Sequence, residues 1–151
     1  MVLMRDMPKG VRETLEELEM PGFTDRPWTT PAPARERKVA VVSSAGLSQR
    51  GDKPFSWSAR DYRAFSAGDR DLVMTHIAVD YDRTAWQQDL NAILPIDRLN
   101  EMAVVGEVGA VAETHYSFMG ASDPLELEAP AREAVARMKE EGVNTVLLAP
   151  V

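Results

Sequence analysis

Residues 130–151 constrain the fold more than any other stretch. Ala131, Ala134, Val135 and Met138 recur at helical spacing over about 130–141, Gly142 follows as a stop, and Val143-Asn144-Thr145-Val146-Leu147-Leu148-Ala149-Pro150-Val151 is an apolar run suited to a buried strand. A helix passed by one glycine directly to such a strand reads as the second half of a β-α-β crossover, which implies parallel strands. Glu133 and Arg137 add an i,i+4 pair in the favourable order on that helix.

Two further apolar runs fit the same sheet: Lys38-Val39-Ala40-Val41-Val42 and the segment 72–79. The expected class is therefore α/β, an incomplete doubly wound, mainly parallel sheet with flanking helices. The 151 residues, 44% hydrophobic and 27% charged, suit one globular domain with a real core. No apolar run approaches the ~20 residues of a membrane span, and Arg5, Asp6, Pro8 and Lys9 interrupt the amino terminus, so the expected location is the cytoplasm. A net charge of -7 disfavours nucleic acid as a partner. With no cysteine, these residues hold no disulfide, thiolate zinc site or thiol nucleophile.

The chain divides into an arm, 1–38, and an α/β domain, 39–151, expected to be the first half of a longer domain. In the arm Val11, Leu15 and Leu18 form one stripe of a short helix ended by Pro21 and Gly22. Pro21, Pro27, Pro31 and Pro33 then predict an extended segment, with Trp28 expected to pin it to the body. Seven acidic and seven basic residues balance within 1–38, so the excess negative charge belongs to the body.

Ligands of open α/β sheets bind outside the carboxyl ends of the strands. If 39–42, 72–79 and 146–151 are parallel, Ser43, Ser44, Asp80 and Asp82 share that edge. The turn Ser43-Ser44-Ala45-Gly46 is either a cradle of N–H groups for an anion or a tight turn; it lacks a nucleotide-binding glycine fingerprint. Residues 51–70, with Phe55, Trp57, Tyr62 and Phe65, read as a packed loop of the length that covers substrates. His76, Asp80 and Asp82 invite a metal, but the spacing matches no closed zinc pattern, so no metal site is assigned, and Asp82 suits an N-cap for a helix over 84–91. Pro95 opens another helix, whose buried face is Ile96, Leu99 and Met102 or Ala103. His115, Tyr116 and Ser117 complete the substrate-binding candidates; His115 fits either acid–base work or a packed, hydrogen-bonded role.

Several segments together are similar to one family. Val39-Ala40-Val41-Val42-Ser43-Ser44-Ala45-Gly46-Leu47, Asp80-Tyr81-Asp82-Arg83, Asp89-Leu90-Asn91, Leu94-Pro95-Ile96-Asp97-Arg98-Leu99, Gly106-Glu107-Val108-Gly109 and His115-Tyr116-Ser117-Phe118-Met119-Gly120 resemble the amino-terminal half of the glycine/sarcosine/betaine/D-proline reductase family, selenoprotein B component. The resemblance covers about 38–151. It implies an oxidoreductase of amino-acid metabolism that reductively cleaves a C–N bond in a small amine or amino acid. It also implies a selenocysteine, or a cysteine, directly after Val151, so that no catalytic residue lies within the chain and the 151 residues alone are inactive. A truncation at a UGA codon, read as stop, is the matching expectation. No cofactor is implied in this chain; a pyruvoyl group on a partner subunit activates some substrates, and a thioredoxin-type reductant regenerates the enzyme. Oligomerisation is compatible with that family. Two other classes remain open: a non-catalytic α/β binding or assembly subunit, and a metal-assisted hydrolase using His76, Asp80, Asp82 and His115.

Overall fold

The computed structural model describes residues 3–17, 22, 24–78 and 83–151. In chain order it runs α1 (Lys9–Glu16), β1 (Lys38–Ser43), β2 (Leu47–Gln49), β3 (Tyr62–Ser66), β4 (Leu72–Met74), α2 (Thr84–Gln88), α3 (Ile96–Val104), β5 (Ala110–Val111), β6 (Thr114–Phe118), α4 (Glu128–Glu140) and β7 (Thr145–Ala149). β1 lies inside the main sheet, parallel to β7 on one side and to β5 and β6 on the other. Successive side chains of a strand face opposite ways. Val39 and Val41 therefore join Leu94, Ile96 and Leu99 on the α3 face, while Ala40 meets Tyr116, Ala134 and Met138 on the α4 face. The α/β class, with a mainly parallel sheet between helices, is as the sequence predicts; β3 adds an antiparallel edge against β6.

Elsewhere the outcome differs. The segment 72–79 is not a parallel member of this sheet: its strand is only Leu72–Met74, antiparallel to β2 in a separate two-stranded sheet. Gly46 turns the chain away from the sheet at φ 62°, and its carbonyl accepts the Thr75 N–H at 2.8 Å, which fixes β4 beside β2. An apolar run specifies a strand, not its partner. The predicted loop 51–70 contains a strand, β3, whose Phe65 is buried. Its alternation is hidden by Arg63 and by polar neighbours.

α4 begins two residues before Pro130. Gly142, at φ 79°, ends it, and the Val143 N–H closes on the Met138 carbonyl at 2.9 Å. Ala134 and Met138 are buried, but Val135, expected inside, is 44% exposed because the helix meets the sheet along a narrower line than its apolar stripe. The Tyr62 hydroxyl bridges the predicted pair, donating to Glu133 Oε1 at 2.8 Å and accepting from Arg137 Nη1 at 3.3 Å. In α3, Ile96 and Leu99 are buried and Ala103, rather than Met102, packs on the core.

Trp28 does not pin the arm: it is 89% exposed. Hydrogen bonds to the arm's carbonyls do so instead, the Gly109 N–H donating to Ala34 O at 3.2 Å and the Asn144 side-chain Nδ2 to Glu36 O at 3.0 Å. Leu18 and Pro21 lie outside the described residues. β7, expected to be buried, is an edge strand among the described residues, and Leu148 is 69% exposed. No helix among the described residues is long and apolar enough to cross a membrane.

Candidate functional site

β1 and β7 run parallel and in register to Ser43 and Ala149, so their carboxyl ends form one edge, with the end of β6 beside them. A hollow of about 220 Å³ opens there, walled by Val42, Ser43, Ser44, Phe118, Leu148, Ala149 and Pro150. A larger hollow, about 610 Å³, lies between β3 and α4. Its charged groups are paired, Glu133 and Arg137 through Tyr62, Arg63 with Asp61 at 2.6 Å and Arg60 with Glu126, and no ends of parallel strands converge on it. The smaller hollow is therefore the better candidate, because strand carboxyl ends are where an open parallel sheet leaves backbone and loops free to meet a ligand.

The Ser43–Gly46 turn settles as structure, not as an anion cradle. Ser44 N–H donates to Ala149 O at 3.1 Å, Ala45 N–H to Ser43 Oγ at 3.2 Å, Gly46 N–H to Phe118 O at 2.9 Å and Leu47 N–H to Ser117 Oγ at 2.9 Å. Every N–H from Ser44 to Leu47 is thus used internally. Ser44 makes two further bonds: its carbonyl accepts the Gly120 N–H at 3.0 Å and its Oγ accepts the Val151 N–H at 2.8 Å. A Cβ on Gly120 would lie 2.8 Å from both Ser44 Cβ and Ser44 O, so glycine is required by close approach.

His115, Tyr116 and Ser117 are all buried in β6. Val39 pairs with Val111 but Val42 with Tyr116, so the β5–β6 strand carries two residues more than β1 over that interval (116 − 111 = 5 against 42 − 39 = 3). The register break leaves the Val41 N–H without a ladder carbonyl, and His115 Nδ1 accepts it at 3.0 Å. The Nδ1 is thereby an acceptor and the proton of the neutral ring sits on Nε2, a buried atom with no hydrogen-bond partner among the described residues. Burial lowers the His115 pKa from its ordinary 6.5, against the opposing pull of Glu141. Glu141 itself closes the bulge, its carboxylate accepting the Glu113 N–H at 2.7 Å and the Thr114 N–H at 3.2 Å, with Lys38 Nζ at 3.2 Å. Burial pushes the Glu141 carboxyl up, but these donors outweigh it and hold it below its ordinary value.

Tyr116 faces α4, edge-on to Tyr62 with ring centroids 5.5 Å apart, and burial raises its pKa. The structure therefore separates the sequence candidates. Ser43 and Ser44 lie at the edge; His115 and Tyr116 are in the sheet interior; Ser117 bonds β6 to β2. Asp80 and Asp82 lie outside the described residues; α2 ends at Gln88 and takes Arg83 as its N-cap, with no side-chain cap bond, where the sequence predicts Asp82 and a helix to 91. His76 is buried with Nδ1 accepting the Ala78 N–H at 3.1 Å, and among the described residues no group of three or more His, Asp or Glu side chains is arranged to hold a metal.

A family model described as glycine/sarcosine/betaine reductase selenoprotein B matches residues 7–151. The chain belongs to this family. Among curated relatives, the D-proline reductase subunit gamma of Acetoanaerobium sticklandii is 30% identical over 145 residues, covering 91% of this chain and 59% of that protein. The glycine reductase complex component B subunit gamma of Carboxydothermus hydrogenoformans is 32% identical, over 87% of this chain and 32% of that protein. The subunit of the same name from Symbiobacterium thermophilum is 30% identical, over 87% and 33%. The chain thus spans between a third and three fifths of the relatives it matches. No solved structure matches at a significant level.

In this selenoprotein B family member the segments 89–99 and 115–120 have distinct structural jobs. Asn91 of the Asp89–Asp97 region donates from Nδ2 to Asp89 Oδ1 at 2.8 Å and Asp97 Oδ2 at 3.1 Å, while its Oδ1 accepts the Asp97 N–H at 3.0 Å. The Asn91 side chain and N–H bonds hold the Asp89 carboxyl below its ordinary range. This network satisfies a donor that the first turn of α3 leaves open. The segment 115–120 supplies the His115 bridge, the Ser117 tie and the Gly120 contact with Ser44. Sequence reasoning missed Glu141 and the apolar walls Phe118 and Leu148. Alternation along β6 signals Phe118, whereas nothing local to Leu148, one residue of an unbroken apolar run, or to Glu141 signals its place.

Proposed function

We propose that this chain is the amino-terminal part of a gamma-type selenoprotein B subunit in a reductase complex acting on glycine, sarcosine, betaine, D-proline or a similar small amine. Its reactive group is a selenol or thiol immediately following Val151, supplied by the family pattern and not by these residues. The observation that carries the reading is the family match across 7–151, and the Ser44–Val151 bond beside an apolar hollow supports it. In this reading a selenolate attacks the substrate carbon, a C–Se bond forms as the C–N bond breaks, and the amine leaves with a proton. One thiol of a thioredoxin-type dithiol then attacks selenium, the C–Se bond breaks and the carbon takes up a proton, and the second thiol displaces the selenolate from the Se–S bond, leaving the dithiol as its disulfide and accounting for two electrons. A pyruvoyl group on a partner subunit would supply a carbonyl able to activate a primary or secondary amine. Such thiol chemistry fits a reducing compartment, and so the cytoplasm.

The test is the full-length gene product, purified with its partner subunits and given each candidate amine with a dithiol. Amine release with matching dithiol oxidation, abolished by prior alkylation, is the expected result. A complex with an intact, alkylatable selenol or thiol that releases no amine from any of the candidates contradicts the reading.

A further inference from the structure

The two flanks of α4 are used differently. One carries Glu133 and Arg137 and meets Tyr62 of β3. Helical periodicity puts Ala131 and Val135 on the other flank, towards β7, which lies on the far side of β1 from β3 and β6. A hollow of about 390 Å³ runs along that flank, walled by α4 alone through Glu128, Ala131, Arg132, Val135, Ala136 and Lys139. The two alanines leave the notch and the longer side chains rim it. Arg132 donates to Glu128 Oε1 from Nε at 2.9 Å and from Nη2 at 2.7 Å, which leaves Oε2 open, and the Lys139 ammonium has no partner among the described residues.

These six residues complement themselves. A two-fold axis between Glu133 and Ala134 sets α4 antiparallel to its copy and exchanges the six among themselves: Glu128 faces Lys139, Ala131 faces Ala136, and the Arg132 stem covers Val135. A parallel pair would set each charge against its like. A shift of one turn either sets Arg132 against Lys139 or takes Glu128 away from Lys139. We infer that a second copy of this chain docks on this flank, α4 against α4, in an antiparallel pair closed by two Glu128–Lys139 ion pairs between the copies. Two helices of this length alone bury less than the ~1,000 Å² of a specific interface. Val146 and Leu148 extend the surface, because they pair in register with Ala40 and Val42 on the α4 face and are 41% and 69% exposed. The interface draws nothing from the reductase chemistry, so either can fail without the other.

The chain has no cysteine, so introduced ones report the pairing without background. The 151-residue chain is prepared as Ala131→Cys and as Ala136→Cys, and oxidation by diamide is followed at equal total protein. In this pairing position 131 meets 136, whereas two copies of either position are offset by about 7.5 Å along the axis, beyond disulfide reach. The mixture should therefore cross-link about tenfold faster than either variant alone. Without any cysteine, Lys139→Glu should raise the dimer dissociation constant about three- to tenfold by light scattering, since two ion pairs become repulsions. Glu128→Lys added to Lys139→Glu reverses both pairs and should restore the parent's value. A mixture that cross-links no faster than its components overturns the pairing, and so does a dissociation constant that Lys139→Glu leaves unchanged.

Discussion

At His115 a side chain stands in for a backbone acceptor that the register break removes. The ring is neutral in the folded protein because burial lowers its pKa below the ordinary 6.5, and its Nδ1 must stay unprotonated to accept the Val41 N–H. The unfolded chain takes up the proton more readily, so the stabilisation is complete above about pH 6.5 and is lost as pH falls towards the lowered folded value. Thermal midpoints should therefore drop between pH 7 and 5.5. His115→Asn offers a carbonyl oxygen in place of Nδ1 and does not titrate, so it should flatten that slope; a slope equal to the parent's contradicts this account of the ring. His115→Ala leaves a buried N–H unpaired beside a cavity and should cost about 2–4 kcal/mol, read from denaturant midpoints. The sequence marks His115 as a polar residue in a dense motif, but both its alternatives stay open there. The choice depends on the register against β1, whose Val41 lies 74 residues away in sequence, and no local pattern encodes it.

Among elements, those whose signals are local were legible. β1 shows a β-branched run, α3 a proline at its start, and α4 a glycine at its end, and each forms close to its predicted bounds. β3 and the placement of β4 were not legible, because each is decided by a partner: β6 for the first and the Gly46 turn with β2 for the second. The same dependence explains Gly109, which has no positive φ. A Cβ there would stand 2.6 Å from Arg35 O and 2.9 Å from Arg37 O, where the arm's end crosses the entry to β5. Both neighbours are backbone and have little room to yield. Gly109→Ala should lower stability by about 1–3 kcal/mol in urea denaturation. A change within measurement error shows that the arm's end separates from β5 at little cost.

At the scale of the molecule, the two faces of β7 are incompletely covered. Val146, Leu147 and Leu148 are 41%, 38% and 69% exposed, and the strand's outer side offers an unpaired ladder among the described residues. Long apolar edges of this kind pair with other chains. The 151-residue protein should self-associate in a concentration-dependent way on size-exclusion chromatography with light scattering. Leu148→Lys should shift it towards monomer, and an unchanged monomer at every concentration in the parent removes the edge as a source of association. The candidate site was legible in part for the same topological reason. Parallel β1 and β7 bring Ser43 and Ser44 to one edge as the crossover predicts, whereas β4 leaves that edge by pairing elsewhere. The claim that the reactive group follows this edge is tested most directly by the codon after Val151 in the gene: TGA or a cysteine codon, continued by an open reading frame of the family, is predicted, and TAA, TAG, or TGA without such a frame contradicts it.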